Sequence, residues 1–146
     1  MADFVREVMT LGVVAVRPDA SLVEAAQLMR ALDVGDVLVA GDGQVIGVLT
    51  DRDITLRAVA DGADPLTVSA GAVCTPDPVV IGPDDPVSAA FELMRGHAVR
   101  RLPVVEGGRP VGMVSLGDLA VAQDPASALA DISRAAPGGG PGGTPV

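Results

Sequence analysis

Aromatic residues are almost absent from this chain of 146 residues, which contains two phenylalanines, no tyrosine and no tryptophan. Valine, leucine, alanine, isoleucine and methionine must therefore build the core, through many small contacts in place of a few large ones. The chain is long enough for one compact domain with its own core. It is too short for a catalytic domain joined to a separate regulatory domain.

Basic residues are also scarce, since 10 lysines and arginines stand against 19 aspartates and glutamates and the formal net charge is −9. Such a chain repels a phosphate backbone and has no basic cluster to offset the repulsion, so nucleic acid is not an expected partner. No apolar run is long enough to span a bilayer, and residues 1–10 lack the apolar centre of a signal peptide. We expect a cytoplasmic protein without a membrane partner.

Cysteine and histidine occur once each, as Cys74 and His97. A single cysteine cannot form an internal disulfide, which fits a reducing compartment, and we expect Cys74 to be a small buried apolar residue. His97 is expected at the end of a helix, either exposed or interacting with the helix dipole. Because no base, nucleophile or ligand cluster can be assembled, we predict that the chain is not an enzyme, and that it has no metal site and no required cofactor.

The sequence contains an internal duplication, because sliding it on itself at one constant offset brings two long stretches into register without a gap. The superposed pairs include Leu28 with Leu93, Met29 with Met94, Gly47 with Gly112 and Asp53 with Asp118. We divide the chain into a first repeat at 1–61, a connector at 62–70, a second repeat at 71–124, a C-terminal extension at 125–136 and a disordered Gly/Pro tail at 137–146.

Each repeat follows the pattern strand, helix, strand, turn, strand, helix. In the first repeat, Ser21 and Glu24 have the spacing of a capping box ahead of an amphipathic helix. In the second repeat, Asp85 is the predicted N-cap and Pro86 the first helical residue. A hairpin follows each helix, with strands predicted at 37–39 and 45–49, and at 102–105 and 111–114. One repeat cannot cover its own sheet, so the two should pack into one α/β unit.

Several segments, in this order and in duplicate, resemble the CBS-domain family: Val-Met-Thr at 8–10 and Val-Cys-Thr at 73–75, a Pro-Asp pair before the first helix, Gly-Val-Leu-Thr-Asp-Arg-Asp-Ile at 47–54, and Val-Arg-Arg-Leu-Pro-Val-Val at 99–105. The resemblance spans about residues 1–122. Within the family, the sequence is specifically similar to stand-alone two-repeat members such as actinobacterial hypoxic-response proteins. It implies an α/β fold of the α+β type, with two β-α-β-β-α repeats related by pseudo-twofold symmetry in one Bateman module.

The resemblance also implies that clefts between the repeats hold an adenosine-containing ligand such as AMP, ADP, ATP or S-adenosylmethionine. Thr50 with Asp53, and Ser115 with Asp118, each place a hydroxyl at a strand end and a carboxylate three residues later. On the residues alone, this spacing is a capping box that satisfies backbone N–H groups at a helix start. In the family, this aspartate accepts hydrogen bonds from the ribose hydroxyls.

By the family's pattern, Asp53 faces Arg100 and Arg101, whereas Asp118 faces Gly35 and Asp36. Two guanidinium groups suit phosphate, while a carboxylate repels it, so we predict unequal sites in which the Asp53 cleft binds phosphate better. The alternative is that both arginines are solvated or paired with nearby acids, as is common in an acidic protein.

Four further residues complete the candidate site. Arg52 lies at a predicted helix N-terminus, and Pro103 stands where the first repeat has Leu38, which leaves the shape of the Asp118 cleft open. Val14 and Val80 are placed in the family to line the adenine pocket, with ordinary sheet core as the alternative.

Together, these features predict a regulatory sensor that acts through a homodimer, because the helices offer more apolar surface than one sheet can cover. The alternative is a structural or stress-associated dimer without a nucleotide ligand.

Overall fold

A computed structural model describes residues 3–124 together with Ala126, Ile132 and Ala135. The rest of the predicted C-terminal extension at 125–136, and the Gly/Pro tail at 137–146, lie outside the described residues. The chain divides into two compact units. The first-repeat unit contains residues 13–78 and 107–110, and the second-repeat unit contains residues 3–12, 79–106 and the described residues from 111 onward.

Both units are built from strands and short helices. In chain order they are a 3₁₀ turn Val5–Glu7, β1 Thr10–Leu11, β2 Ala15–Val16, α1 Leu22–Leu32, β3 Asp36–Gly41, β4 Gln44–Thr50, α2 Asp51–Ile54 with a π turn Thr55–Val59, α3 Ala70–Val73, β5 Thr75–Pro76, α4 Val87–His97, β6 Arg101–Glu106, β7 Arg109–Ser115 and α5 Leu116–Gln123.

The first-repeat unit is built on a four-stranded sheet in the order β2-β3-β4-β5. Strands β3 and β4 form the predicted hairpin, in which Asp36 pairs with Thr50 at the open end. Strand β2 is parallel to β3, and β5 is antiparallel to β4. The apolar stripe of α1 packs on this sheet, and its buried residues are Leu22, Ala25 and Met29. The helix therefore covers one face of the sheet, as an amphipathic helix must.

The second-repeat unit has a three-stranded sheet in the order β1-β7-β6. Strand β1, from the start of the chain, pairs antiparallel with β7, so that Thr10 lies opposite Met113. Strand β1 therefore pairs with β7 in the second-repeat unit as β5 pairs with β4 in the first-repeat unit. The two compact units consequently do not follow the order of the repeats along the chain, since residues 3–12 pack with the second repeat.

A glycine makes each of these strand pairs possible. A Cβ atom on Gly47 would lie 2.6 Å from the carbonyl oxygen of Thr75, and one on Gly112 would lie 2.5 Å from that of Thr10. Such a separation is far inside van der Waals contact. Only glycine therefore lets the neighbouring strand approach at these two positions.

The starts of the two long helices differ, and one prediction is wrong. Ser21 caps α1 as predicted, because its Oγ accepts a hydrogen bond of 3.1 Å from the Glu24 N–H. In the second repeat, Pro86 and not Asp85 occupies the N-cap position of α4, with extended backbone and no side-chain cap. The Asp85 carboxylate instead accepts a 2.8 Å hydrogen bond from the Gly82 N–H, which closes the turn before the helix.

The core is aliphatic in both units, as the composition predicts. Within the described residues, the largest fully buried side chains all belong to leucine or valine. Cys74 is buried as well, as expected. The aromatic Phe4 is exposed and Phe91 is only partly buried. None of the helices in the described part of the chain has both the length and the apolar character that crossing a membrane requires.

Candidate functional site

Thr50 and Asp53 form a reciprocal capping box at the junction of β4 and α2. The Asp53 N–H donates a 3.0 Å hydrogen bond to Thr50 Oγ1, and the Thr50 N–H donates a 3.0 Å hydrogen bond to Asp53 Oδ2. This arrangement satisfies two backbone donors at a helix start. The structural interpretation of the motif is therefore confirmed, and it fixes the Asp53 carboxylate at the end of the hairpin.

Ser115 and Asp118 repeat this geometry at the junction of β7 and α5. The Asp118 N–H donates to Ser115 Oγ at 3.0 Å, and the Ser115 N–H donates to Asp118 Oδ2 at 2.9 Å. The next residue, Leu116, donates its N–H to the carbonyl oxygen of Arg100 at 2.8 Å. The two repeats thus present the same hydroxyl and carboxylate in the same local setting.

The two carboxylates differ in what surrounds their second oxygen. Asp53 Oδ1 lies 3.7 Å from Arg57 Nε, and the side chain of Asp53 is 14% exposed. Arg57 also donates a 3.0 Å hydrogen bond from Nη1 to the carbonyl oxygen of Val73, which ties the π turn to α3. In the second repeat, the position of Arg57 is taken by Ala122. Among the described residues, Asp118 forms no ion pair.

Arg57 is a residue that the sequence interpretation missed. Its spacing of four residues from Asp53, together with the alanine at the matching position of the other repeat, was a signal that could have identified it. The contact with Val73 could not be found in this way, because it joins residues of different helices.

Arg100 immediately precedes β6 and Arg101 is the first residue of that strand, and both are exposed in the second-repeat unit. The same unit contains Asp118, whereas Asp53 belongs to the first-repeat unit. That Arg100 and Arg101 bind phosphate in the same site as Asp53 therefore stays a prediction.

The remaining candidate residues have separate environments. Arg52 is exposed on α2 and its N–H donates to Asp51 Oδ1 at 2.8 Å. Val14 packs against the core of the first-repeat unit, and its carbonyl accepts from Leu38 N–H at 2.9 Å. Pro103 is buried in β6, with its carbonyl accepting from the N–H of Ile81 at 3.1 Å. Val80 is 40% exposed.

Cys74 lies close enough to the first capping box for its charge to matter. Burial raises the pKa of the Cys74 thiol, the Asp53 carboxylate raises that pKa further, and the Arg57 guanidinium lowers it. The thiol is therefore protonated and neutral at pH 7, which makes it a poor nucleophile and a poor metal ligand. Within the part of the chain that the structure describes, no three His, Cys, Asp or Glu side chains gather as ligands for a metal ion.

Comparison with known proteins gives a consistent result. The sequence profile of the CBS domain matches residues 5–59 and again residues 70–124. The CBS domain-containing protein YhcV of Bacillus subtilis is 41% identical over 134 residues, which cover 89% of this chain and 95% of that protein. Hypoxic response protein 1 of Mycobacterium tuberculosis is 36% identical over 116 residues, which cover 79% of this chain and 81% of the relative.

Solved structures resemble this one over most of their length. The crystal structure of Hypoxic Response Protein I with two coordinated zinc ions superposes with a TM-score of 0.74 at 36% identity, covering 80% of this chain and 96% of the other. The CBS domain protein PAE2072 from Pyrobaculum aerophilum, complexed with AMP, superposes with a TM-score of 0.70 at 30% identity, covering 79% of this chain and 88% of the other.

Proposed function

The chain belongs to the CBS-domain family and carries two copies of the domain, and on this basis we propose that it is a regulatory module that binds an adenosine-containing ligand. The ligand class comprises AMP, ADP, ATP and S-adenosylmethionine. The module acts through a homodimer, in which ligand binding changes the dimer or its contacts. A response of this kind requires that the ligand bind two states of the module with different affinity.

The observation that carries the proposal is the pair of matching capping boxes. Each box uses one oxygen of its aspartate for the backbone and holds the carboxylate rigidly at a strand end. A carboxylate with remaining acceptor capacity suits the two adjacent hydroxyls of a ribose. The AMP complex of the Pyrobaculum aerophilum relative supports a ligand of this class.

In this proposal, the parts of the ligand are recognised by different residues. The ribose binds to Asp53 with Thr50, or to Asp118 with Ser115, and the adenine ring contacts apolar side chains. Those side chains are Val14, Val80 and Pro103. Arg100, Arg101 and Arg52 supply the positive charge for phosphate, which makes the Asp53 site the better phosphate binder.

The role is one of binding and not of catalysis. The Cys74 thiol is buried, with a raised pKa, and His97 is an exposed residue at the end of α4. Neither group is placed with a partner that would make it a base or a nucleophile among the described residues.

A second candidate function is a structural or stress-associated dimer without a nucleotide. It is favoured by the guanidinium of Arg57, which lies beside the Asp53 carboxylate and competes with ribose hydroxyls for it. The similarity to Hypoxic response protein 1 also fits a role in stress.

Isothermal titration of nucleotide-stripped protein with AMP, ADP, ATP and S-adenosylmethionine separates the two functions. The proposal expects micromolar binding at about one site per chain, lost in Asp53→Ala and kept in Asp118→Ala. Because Asp53→Ala also removes a cap, Ser21→Ala serves as the matched control, since it removes the cap of α1 and no candidate ligand contact. No heat with any of the four ligands would contradict the nucleotide proposal and favour the function without a ligand.

A further inference from the structure

Arg57 places a positive charge beside the Asp53 carboxylate without occupying its free oxygen. Arg57 Nε lies 3.7 Å from Asp53 Oδ1, which is an ion-pair distance but too long for a hydrogen bond. The other oxygen, Oδ2, accepts from the Thr50 N–H. Within the described residues Oδ1 accepts no hydrogen bond, so its charge is offset while its lone pairs stay available for a hydroxyl group.

The guanidinium of Arg57 is held in place and still has unused donors. Its Nη1 donates a 3.0 Å hydrogen bond to the carbonyl oxygen of Val73, at the end of α3. Among the residues that the structure describes, Nε and Nη2 donate to no acceptor, and the side chain is 52% exposed. Arginine carries five N–H donors in a rigid fork, which suits the oxygens of a phosphate group. One side chain therefore both offsets Asp53 and presents donors to an anion from solvent.

The backbone at Arg57 differs from that at the matching position of the second repeat. Residues Thr55–Val59 form a π turn, closed by a 2.9 Å hydrogen bond from the Ala60 N–H to the Thr55 carbonyl oxygen. The matching residue, Ala122, lies in the regular helix α5. π turns inside helices are rare and are frequent at functional sites. The first repeat is therefore distinguished at this position by its backbone as well as by its charge.

The charge of the two capping segments differs accordingly. Residues 50–57 read Thr-Asp-Arg-Asp-Ile-Thr-Leu-Arg, whereas residues 115–122 read Ser-Leu-Gly-Asp-Leu-Ala-Val-Ala. The first segment has two aspartates and two arginines, and so no net charge. The second segment has Asp118 as its charged residue and a net charge of −1. A phosphorylated ligand thus meets a neutral segment at Asp53 and a negative one at Asp118.

The thiol of Cys74 responds to both charges of the first segment. Burial raises the pKa of this thiol, the Asp53 carboxylate raises that pKa further, and the Arg57 guanidinium lowers it. The carboxylate and the guanidinium therefore act on one point of the first-repeat unit with opposite sign. Without Arg57, the negative charge of Asp53 would act there unopposed.

A carboxylate that binds a ribose also repels the phosphate of the same ligand, and Arg57 changes this balance. A phosphate monoester carries nearly two negative charges at pH 7, whereas an unphosphorylated nucleoside carries none. An unphosphorylated nucleoside competes with Arg57 for the charge of Oδ1 and offers the guanidinium no partner in return. A phosphorylated one supplies that partner, because its phosphate oxygens accept from the unused N–H groups. The contact between Arg57 and Asp53 therefore favours the phosphorylated ligand.

We propose that Arg57 makes the Asp53 site select phosphorylated over unphosphorylated adenosine ligands. The inference rests on the proposed function and names the residue that discriminates between ligand classes at that site. It needs no contribution from Arg100 or Arg101, which belong to the other unit. Both arginines are kept in every variant of the test, so a change in selectivity reports on Arg57.

Titration calorimetry of the wild type and three variants with AMP and with adenosine tests this assignment. The readout is the ratio of the two dissociation constants. Arg57→Gln keeps a donor for the Val73 carbonyl but has no charge, so we expect about tenfold weaker binding of AMP and unchanged or tighter binding of adenosine. Arg57→Lys keeps the charge and should retain most of the preference for AMP.

Arg17→Gln is the matched control. It removes one positive charge from the same unit, at an exposed pair with Asp19, and so changes the net charge of the protein by the same amount. Its ratio of AMP to adenosine affinity should equal that of the wild type. Circular dichroism of each variant establishes that the fold is retained before binding is measured.

Each other outcome overturns the inference in an identifiable way. An equal loss of AMP and adenosine binding in Arg57→Gln would assign Arg57 a structural role. An equal loss of preference in Arg57→Gln and Arg57→Lys, or the same shift in Arg17→Gln, would exclude the local charge as its cause. Equal affinities of the wild type for AMP and adenosine would contradict the inference and leave the proposed function in place. Binding of neither compound would overturn the proposed function as well.

Discussion

Arg57 Nε lies 3.7 Å from Asp53 Oδ1 in the first repeat, and the residue at the matching position of the second repeat is Ala122. One capping carboxylate therefore has a cation beside its second oxygen, whereas the other forms no ion pair with any residue that the structure describes. The two repeats are chemically alike in the cap itself and unlike in the charge around it. Differences between their binding properties should follow from this contact as well as from Arg100 and Arg101.

Arg57→Ala should lower the free energy of unfolding by about 0.5–1.5 kcal/mol, because it removes the hydrogen bond to the Val73 carbonyl as well as a partly screened ion pair. Urea unfolding measures the change. The matched control is Arg17→Ala, which breaks an exposed pair with Asp19 and should cost less than about 0.5 kcal/mol. Equal losses in the two variants would mean that the contact with Val73 contributes nothing.

Removal of either cap hydroxyl should destabilise the protein to a similar degree. Thr50→Ala and Ser115→Ala each leave a helix N–H without its acceptor, at a cost of about 1 kcal/mol. Thr50→Ser keeps the hydroxyl and should retain most of the stability. If Thr50→Ser lost as much as Thr50→Ala in urea unfolding, the lost methyl packing and not the cap would be the cause.

Alanine at Gly47 should be strongly destabilising, by about 2–4 kcal/mol, because the added Cβ would collide with the Thr75 carbonyl and with Cys74 Sγ at 2.7 Å. Gly96→Ala is the control, since a Cβ there meets no atom within 4 Å and lies in α4. Alanine in a helix should be neutral or stabilising by up to about 1 kcal/mol. Thermal melts should show a much lower Tm for Gly47→Ala and an unchanged or higher Tm for Gly96→Ala, and a small effect at Gly47 would show that β5 can shift away.

Stability should fall as the pH rises through the alkaline range, and Cys74 should be the cause. Burial raises the pKa of this thiol above its ordinary value of 9.0, so the folded state retains its proton where the unfolded state has lost it. The resulting stabilisation is fully present below the ordinary pKa of 9.0 and is lost as the pH rises from there through the raised pKa of the folded state. The chain contains no lysine and no tyrosine, so few other groups titrate there.

Urea unfolding at several pH values above 8 tests this assignment. The wild type should lose stability with rising pH, and Cys74→Ala should show a flatter profile on a lower baseline. An identical slope in both proteins would place the titration elsewhere, for example at the chain amino group.

Local features of the fold were predictable from sequence because they depend on neighbouring residues. The cap at Ser21, both hairpins and both Thr/Ser-to-Asp boxes are contacts over a few positions, and the duplication showed the hairpins and the boxes twice. The family and its fold class were confirmed for the same reason, since short motifs in a fixed order carry them.

Features that join distant parts of the chain were not predictable from local patterns. The periodicity assigns residues 1–12 to the first repeat, yet Thr10 pairs with Met113 across most of the sequence. Asp85 was wrong as an N-cap because its carboxylate closes the preceding turn at Gly82, and both uses of an aspartate look alike in sequence. Arg57 reaches Val73 only after the helices fold together.

The central claim is that a capping carboxylate binds the ribose diol of an adenosine ligand. Titration calorimetry with AMP and with its 2′,3′-dideoxy analogue measures this directly. A hydrogen bond to a charged acceptor contributes about 1.5–3 kcal/mol, so the dideoxy analogue should bind at least about tenfold more weakly than AMP. Equal affinities for the two compounds would contradict the claim, since the hydroxyls would then make no contact with Asp53 or Asp118.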